Sequence, residues 1–177
     1  MKLLIAILAN LILLIIAAKP VLANETAGGS AEIRMDLKEI KTYLNDKRVK
    51  RLAEFLQKEN SPLADKAENF VKMADIYQLD WRLVPAITGV ESSFGKQIPY
   101  LSYNAYGWAN GTCKFSSWDE SIETVSRTLA EKYLAKGLTT PEKIAPVYAP
   151  PSTTWAMKVK LFMSQIGDNE TIPKLTI

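Results

Sequence analysis

The chain contains no histidine and a single cysteine, Cys113. Without an imidazole there is no histidine ligand for a metal and no Ser–His or Cys–His nucleophile pair. One thiol excludes an internal disulfide. Blocks of like charge are also missing. The only basic clusters, Lys47-Arg48 and Lys50-Arg51, fit the solvated face of a helix, so no nucleic-acid footprint is expected. Alternating strand pattern is nearly absent. From Ser92 to Trp118 there is no aspartate or glutamate. The chemistry left to this chain belongs to carboxylates, tyrosines, lysines and backbone, with no metal and no cofactor expected.

At 177 residues and 47% hydrophobic, the chain is long enough for one domain with a substantial core. Residues 1–23 stand apart. Lys2 precedes an apolar run from Leu3 to Ala18, and Val21-Leu22-Ala23 offers small residues to a signal peptidase. The run is short for a membrane span of about 20 residues, so a cleaved signal peptide is favoured over a retained N-terminal anchor. Both put the remainder outside the cytoplasm, in the cell envelope or secreted. Those residues carry Lys2 and Lys19 and no acid, so without them the formal charge of +3 falls to +1. Residues 24–35, beginning "NETAGGS", read as a linker, and 36–177 as the domain.

Helical spacing then dominates. Leu37, Ile40 and Leu44 form one stripe; Val49, Leu52, Phe55 and Leu56 form a second after Asn45-Asp46. Ser61-Pro62 is a cap with proline at the first helical position, ahead of Leu63, Ala67, Phe70, Val71, Ala74 and Tyr77. "SWDE" at Ser117 matches a capping box before Ile122, Val125, Leu129 and Tyr133, with Gly137 as the stop. Thr140-Pro141 opens a short helix and Trp155 to Ile166 forms another, ended by Gly167. The fold class predicted is all-α.

Between Gly95 and Ser116 the helical pattern vanishes. The stretch holds three glycines, a proline, three tyrosines, a tryptophan and a phenylalanine. A loop of about twenty residues is uncommon in a compact domain and tends to be functional. Its aromatics suit either a core or the apolar faces of sugar rings. Immediately before it stands "TGVESSFGKQ". At 100° per residue, Leu83, Ile87, Val90 and Phe94 make the buried stripe and Glu91 falls about 40° from Ile87, on the shoulder of the core. Desolvation there raises the pKa of a carboxyl group and keeps its proton available near neutral pH. That is what general-acid cleavage of a glycosidic bond requires. The plain alternative is that Glu91 pairs with a lysine or caps a neighbouring helix.

The run "DWRLVPAITGVESSFGK", followed by "SYNAYGW", "FSSWDESIETVSRTL" and "KGLTTPEKIAPVYAPP", resembles the lysozyme-like endo-β-N-acetylglucosaminidase family, which shades into lytic transglycosylases. The resemblance covers about residues 47 to 166 in order, and the Glu-Ser-Ser-x-Gly helix end is its most specific part. It implies a lysozyme-like helical domain, with the aromatic loop forming a cleft, that cleaves peptidoglycan glycan strands; a monomer is expected. It implies that Glu91 is the catalytic acid, that Asn104 shapes the cleft floor and that Tyr148 is the active-site tyrosine. Trp155 matches an aromatic position in the closing helix, where packing is the expected role. Ser93, Tyr103, Asn104, Tyr106 and Trp108 are the candidate sugar contacts. After Trp108 this chain has only the short "ANGTCKF" where many relatives carry a longer acidic lobe, so the resemblance supplies no second carboxylate there.

Ordinary glycosidases hold a second carboxylate about 5–5.5 Å or about 6.5–9.5 Å from the acid. The nearest in sequence are Asp119, Glu120 and Glu123; Glu120 is committed to the capping box, and Asp119 suits the helix dipole. Single-carboxylate catalysis is therefore expected, with the substrate's N-acetyl carbonyl or a 6-hydroxyl stabilising the cation. Ser93-Phe-Gly-Lys96 and Ser102-Tyr-Asn104 match serine acyl-enzyme motifs, but no K-T-G follows and a chain without strands cannot build that fold. The sequons at Asn110 and Asn169 are chance tripeptides. The rival reading is a non-catalytic envelope protein that uses a lysozyme-like cleft for glycan binding or scaffolding.

Overall fold

The computed structural model of the chain describes residue 43 and residues 45–167. The expected signal peptide, the linker and the stripe from Leu37 to Leu44 lie outside the described residues.

Six α-helices and no strand occur among the described residues. Helix α1, Lys47–Lys58, starts where the Asp46 carboxylate accepts from Arg48 N, and it buries Leu52 and Leu56. Ser61 caps the next turn, its hydroxyl accepting from Leu63 N. A 3₁₀ turn, Ala64–Lys66, leads into α2, Ala67–Ile76, which buries Phe70, Val71 and Ala74. Helix α3 is Leu83–Ser92. Helix α4, Trp118–Thr128, begins at the expected cap: Ser117 Oγ accepts from Glu120 N at 3.1 Å. The reciprocal arm of the box is shifted by one residue, because the Glu120 carboxylate accepts from Ser116 N and Oγ, both at 2.6 Å.

Helix α4 runs on into a π-helical turn, Leu129–Tyr133, and a 3₁₀ turn, Leu134–Lys136, before Gly137 ends the run in the left-handed region. Thr140 caps α5, Pro141–Tyr148, and α6, Trp155–Gly167, closes the described chain. No helix among the described residues is long and apolar enough to cross a membrane.

Helix α3 is buried over most of its length. It packs most extensively on α6 and also meets α4. Leu83, Val84, Ala86, Ile87, Thr88, Gly89 and Ser92 are all buried, so apolar and small residues surround the helix rather than lining one face. Gly89 makes the closest approach possible. A Cβ there would stand 2.5 Å from the Phe94 ring and 2.9 Å from Phe162. Phe94 is buried as the wheel expects, but not as a helical residue. The helix stops at Ser92, and Ser93, Phe94 and Gly95 all take positive φ (53°, 60° and 81°). The chain thereby reverses and folds the Phe94 ring back, edge-on to Phe55 at 5.3 Å and Phe162 at 4.9 Å.

Candidate active site

The segment that follows, residues 93–117, is irregular apart from one turn at Trp108–Gly111. Buried polar side chains hold it to the end of α3. The Ser92 hydroxyl lies 3.0 Å from Thr88 O and 2.9 Å from Ala105 O, and it accepts from Gly95 N at 2.9 Å. Asn104 uses its whole amide on the loop. Nδ2 donates to Trp108 O (2.9 Å) and Cys113 O (3.2 Å), and Oδ1 accepts from Tyr106 N (3.4 Å) and Trp108 N (3.2 Å).

This folding brings Glu91, at the last turn of α3, to the wall of an open cavity of about 650 Å³. Trp108 comes to the same cavity from the loop, Tyr133 from the π turn and Tyr148 from the end of α5. Among the described residues that line it, Glu91 is the only carboxylate. The group is half-buried. Burial pushes its pKa above the ordinary value, and a hydrogen bond from the Trp155 indole N–H to Oε1, at 2.6 Å, works against the rise. On the other side Gly107 passes so close that a Cβ would stand 2.7 Å from Oε2. With φ of 71°, position 107 favours glycine on backbone grounds as well.

Tyr148 is held rigidly. Its ring stacks on Trp155 with centroids 5.0 Å apart and planes at 29°, and its hydroxyl donates to Tyr106 O at 2.8 Å. Burial, reinforced by the Glu91 charge, pushes the phenol well above its usual range, so it stays protonated and neutral. Tyr133 lies 6.1 Å away, ring to ring, and its phenol is also raised by burial. The other acids near in sequence turn elsewhere. Asp119 pairs with Lys66 Nζ at 2.7 Å and accepts from Asn69 Nδ2 at 3.1 Å, and Glu123 faces Arg127 at 3.9 Å.

The candidate sugar contacts divide. Trp108 lines the cavity, half-buried and packed on Phe115 at 6.0 Å. Tyr106 is among the lining residues, yet its side chain is fully buried, and its carbonyl accepts from the Tyr148 hydroxyl. Asn104 is buried with its amide satisfied by loop backbone, and it is not among the lining residues. Tyr103 sits edge-on to Trp118 at 5.2 Å and is not among the lining residues. Ser93 caps α3 in the left-handed region and does not line the cavity either.

Two participants escape sequence reasoning, and a third is read only in part. Trp155 is placed there as packing, Tyr133 as one more apolar helix position, and Ser92 as part of the Glu-Ser-Ser-x-Gly helix end without its tie to the loop. No local signal brings Trp155 or Tyr133 to Glu91, because each belongs to an element distant from it in the chain.

No protein-family model matches this chain, and no curated protein matches it at a meaningful level of similarity.

Proposed function

We propose that the protein is an exported enzyme that cleaves β-1,4 glycosidic bonds in peptidoglycan glycan strands, with Glu91 as its single general acid. The observation that carries this reading is a half-buried carboxyl group with a raised pKa, the only acid among the described residues that line a cavity walled by Trp108, Tyr133 and Tyr148. Aromatic faces suit the apolar faces of pyranose rings, and a carboxyl group whose pKa is raised by burial suits protonation of a leaving oxygen. The motif resemblance from "DWRLVPAITGVESSFGK" onward supports the lysozyme-like assignment and the choice of substrate.

In this reaction Glu91 gives its proton to the glycosidic oxygen as the bond to the anomeric carbon breaks. The carbon carries the developing positive charge. With no second carboxylate among the described residues of the cavity wall, the substrate's own N-acetyl carbonyl or a 6-hydroxyl group stabilises or captures it, followed by water in the first case. Tyr148, neutral and fixed beside Glu91, helps to wall the acid from solvent.

Purified sacculi digested with the wild type should release muropeptides identifiable by mass spectrometry, either hydrolysed or as anhydro sugars. Glu91→Gln should fold and lose about two to four orders of magnitude in rate, the usual worth of general acid catalysis. Retention of more than a tenth of the activity would overturn the assignment. A wild type that co-sediments with sacculi and releases nothing would favour the non-catalytic envelope protein.

A further inference from the structure

Glu91 and Trp155 are 64 positions apart, yet the indole N–H of one meets the carboxyl group of the other at 2.6 Å. We propose that Trp155 is a positioning residue that holds Glu91 by Oε1, so that Oε2, the oxygen beside Gly107, is the atom that carries and delivers the proton. This rests on the glycosidase reading of the same cavity.

Three observations lead to it. An indole nitrogen is a donor and never an acceptor. The oxygen it touches must therefore accept, and in the neutral acid the proton is left to the other oxygen. That other oxygen is the one that Gly107 approaches. A Cβ at Gly107 would fall 2.7 Å from Oε2, which is itself the separation of an O–H···O hydrogen bond, about 2.5–3.0 Å. A glycine there keeps clear a position from which a substrate oxygen can take the proton, and any side chain would fill it.

The donor is also fixed before substrate arrives. Trp155 is buried, with 2% of its surface exposed. Its ring stacks on Tyr148, whose hydroxyl is tied to the carbonyl of the core residue Tyr106. The indole cannot swing away from the acid without breaking that chain of contacts.

The proton balance is simple. The Oε2–H bond breaks and the proton joins the glycosidic oxygen, which keeps the electron pair of its broken bond to the anomeric carbon. Glu91 is left as a carboxylate. At that moment the indole N–H donates to a charged acceptor, a hydrogen bond about twice as strong as a neutral one. The attacking water or hydroxyl group later returns a proton to Oε2. Trp155 thus acts on the acid after transfer as well as before it, and its removal should make Glu91 a weaker acid. The other titratable residues lining the same cavity are Tyr148 from α5, Tyr133 from the π turn, and Tyr106 and Cys113 from the loop.

The test uses the indole signals of the four tryptophans in ¹H–¹⁵N spectra. One signal, absent in Trp155→Phe, should titrate with a single step in the wild type and stay flat in Glu91→Gln. If Trp155→Phe does not fold, the signal that titrates in the wild type and not in Glu91→Gln serves alone. An indole spectrum with no such signal overturns the proposal, even in an active enzyme. The same titration stands if the protein cuts no glycan, so failure of the contact and failure of the glycosidase reading are distinguishable. With activity present, Trp155→Phe should lower kcat about 10–100-fold, in the range set by small misplacements of a catalytic group. KM should change less, and the basic limb of the pH–rate profile should move to higher pH. An unmoved limb overturns it. Gly107→Ala should abolish turnover while the titrating signal remains; activity above a third of wild type overturns the assignment to Oε2.

Discussion

A carboxyl group whose pKa is higher in the folded chain than in the unfolded one holds its proton more tightly when folded. For Glu91 the ordinary value is 4.5 and burial raises it. Its favourable contribution is therefore complete below that ordinary value and is lost as the pH rises through the raised folded value. Glu91→Gln keeps an acceptor for Trp155 and removes the ionisation. The variant should accordingly melt at a higher temperature than the wild type at pH 7, with the difference closing by about pH 4. Calorimetry at the two pH values checks this, and a difference of the same size at both would refute it. Asp119 is the contrasting acid. Its carboxylate is largely exposed and engaged by Lys66 and Asn69. Asp119→Asn should cost at most about 1 kcal/mol, the worth of an exposed pair, and leave glycan cleavage unchanged. Loss of turnover in a folded Asp119→Asn, or in Glu123→Gln, would restore a two-carboxylate mechanism.

The end of α3 is the element on which the site depends. Replacing Gly89 by alanine should favour the helix by about 0.5–1 kcal/mol in backbone terms. The added Cβ would, however, stand 2.5 Å from a Phe94 ring wedged between Phe55 and Phe162. Overpacking of this kind costs about 1–3 kcal/mol, so packing wins and the midpoint in urea should fall. Ser92→Ala tests the other side of the same turn. It leaves the Gly95 N–H and the Ala105 carbonyl without their buried partner, a loss of about 1–3 kcal/mol. Because the Ser92 hydroxyl ties the loop that carries Gly107 and Trp108 to the helix that carries Glu91, kcat should fall with stability. A stable but inactive Ser92→Ala would point to a direct chemical role instead.

Across the whole molecule, the cavity draws on α3, the irregular loop, the π turn and the end of α5, with α6 supplying the indole behind Glu91. π turns inside helices are frequent at functional sites, and here the turn Leu129–Tyr133 carries Tyr133, which lines the cavity. Trp108 is the loop's aromatic contribution to that wall. Trp108→Ala should weaken co-sedimentation with sacculi more than it lowers the melting temperature. A collapsed melting temperature with intact binding would mean that Trp108 serves the core alone. Tyr148→Phe should impair turnover severely, because it frees both the Tyr106 carbonyl and the ring that steadies Trp155.

Local sequence marked the helices and several of their ends. Period-3.6 stripes, the Ser117 and Thr140 caps and the Gly137 stop need only neighbours within a turn or two, and the same arithmetic put Glu91 on the shoulder of its helix. What the sequence could not decide is which faces meet. Ser92 lies about 180° from Leu83 on a helical wheel, nominally toward water, and is buried because a loop ending some two dozen residues later folds over it. Tyr106 and Trp108 look alike on one irregular segment, yet Tyr106 is fully buried and Trp108 only partly, with Gly107 between them at positive φ. Trp155 touches Glu91 only because α6 packs on α3. Hydrophobic pattern specifies that a surface is to be buried, whereas the partner that buries it, and the polar atom it brings along, follow from the packing of the complete chain.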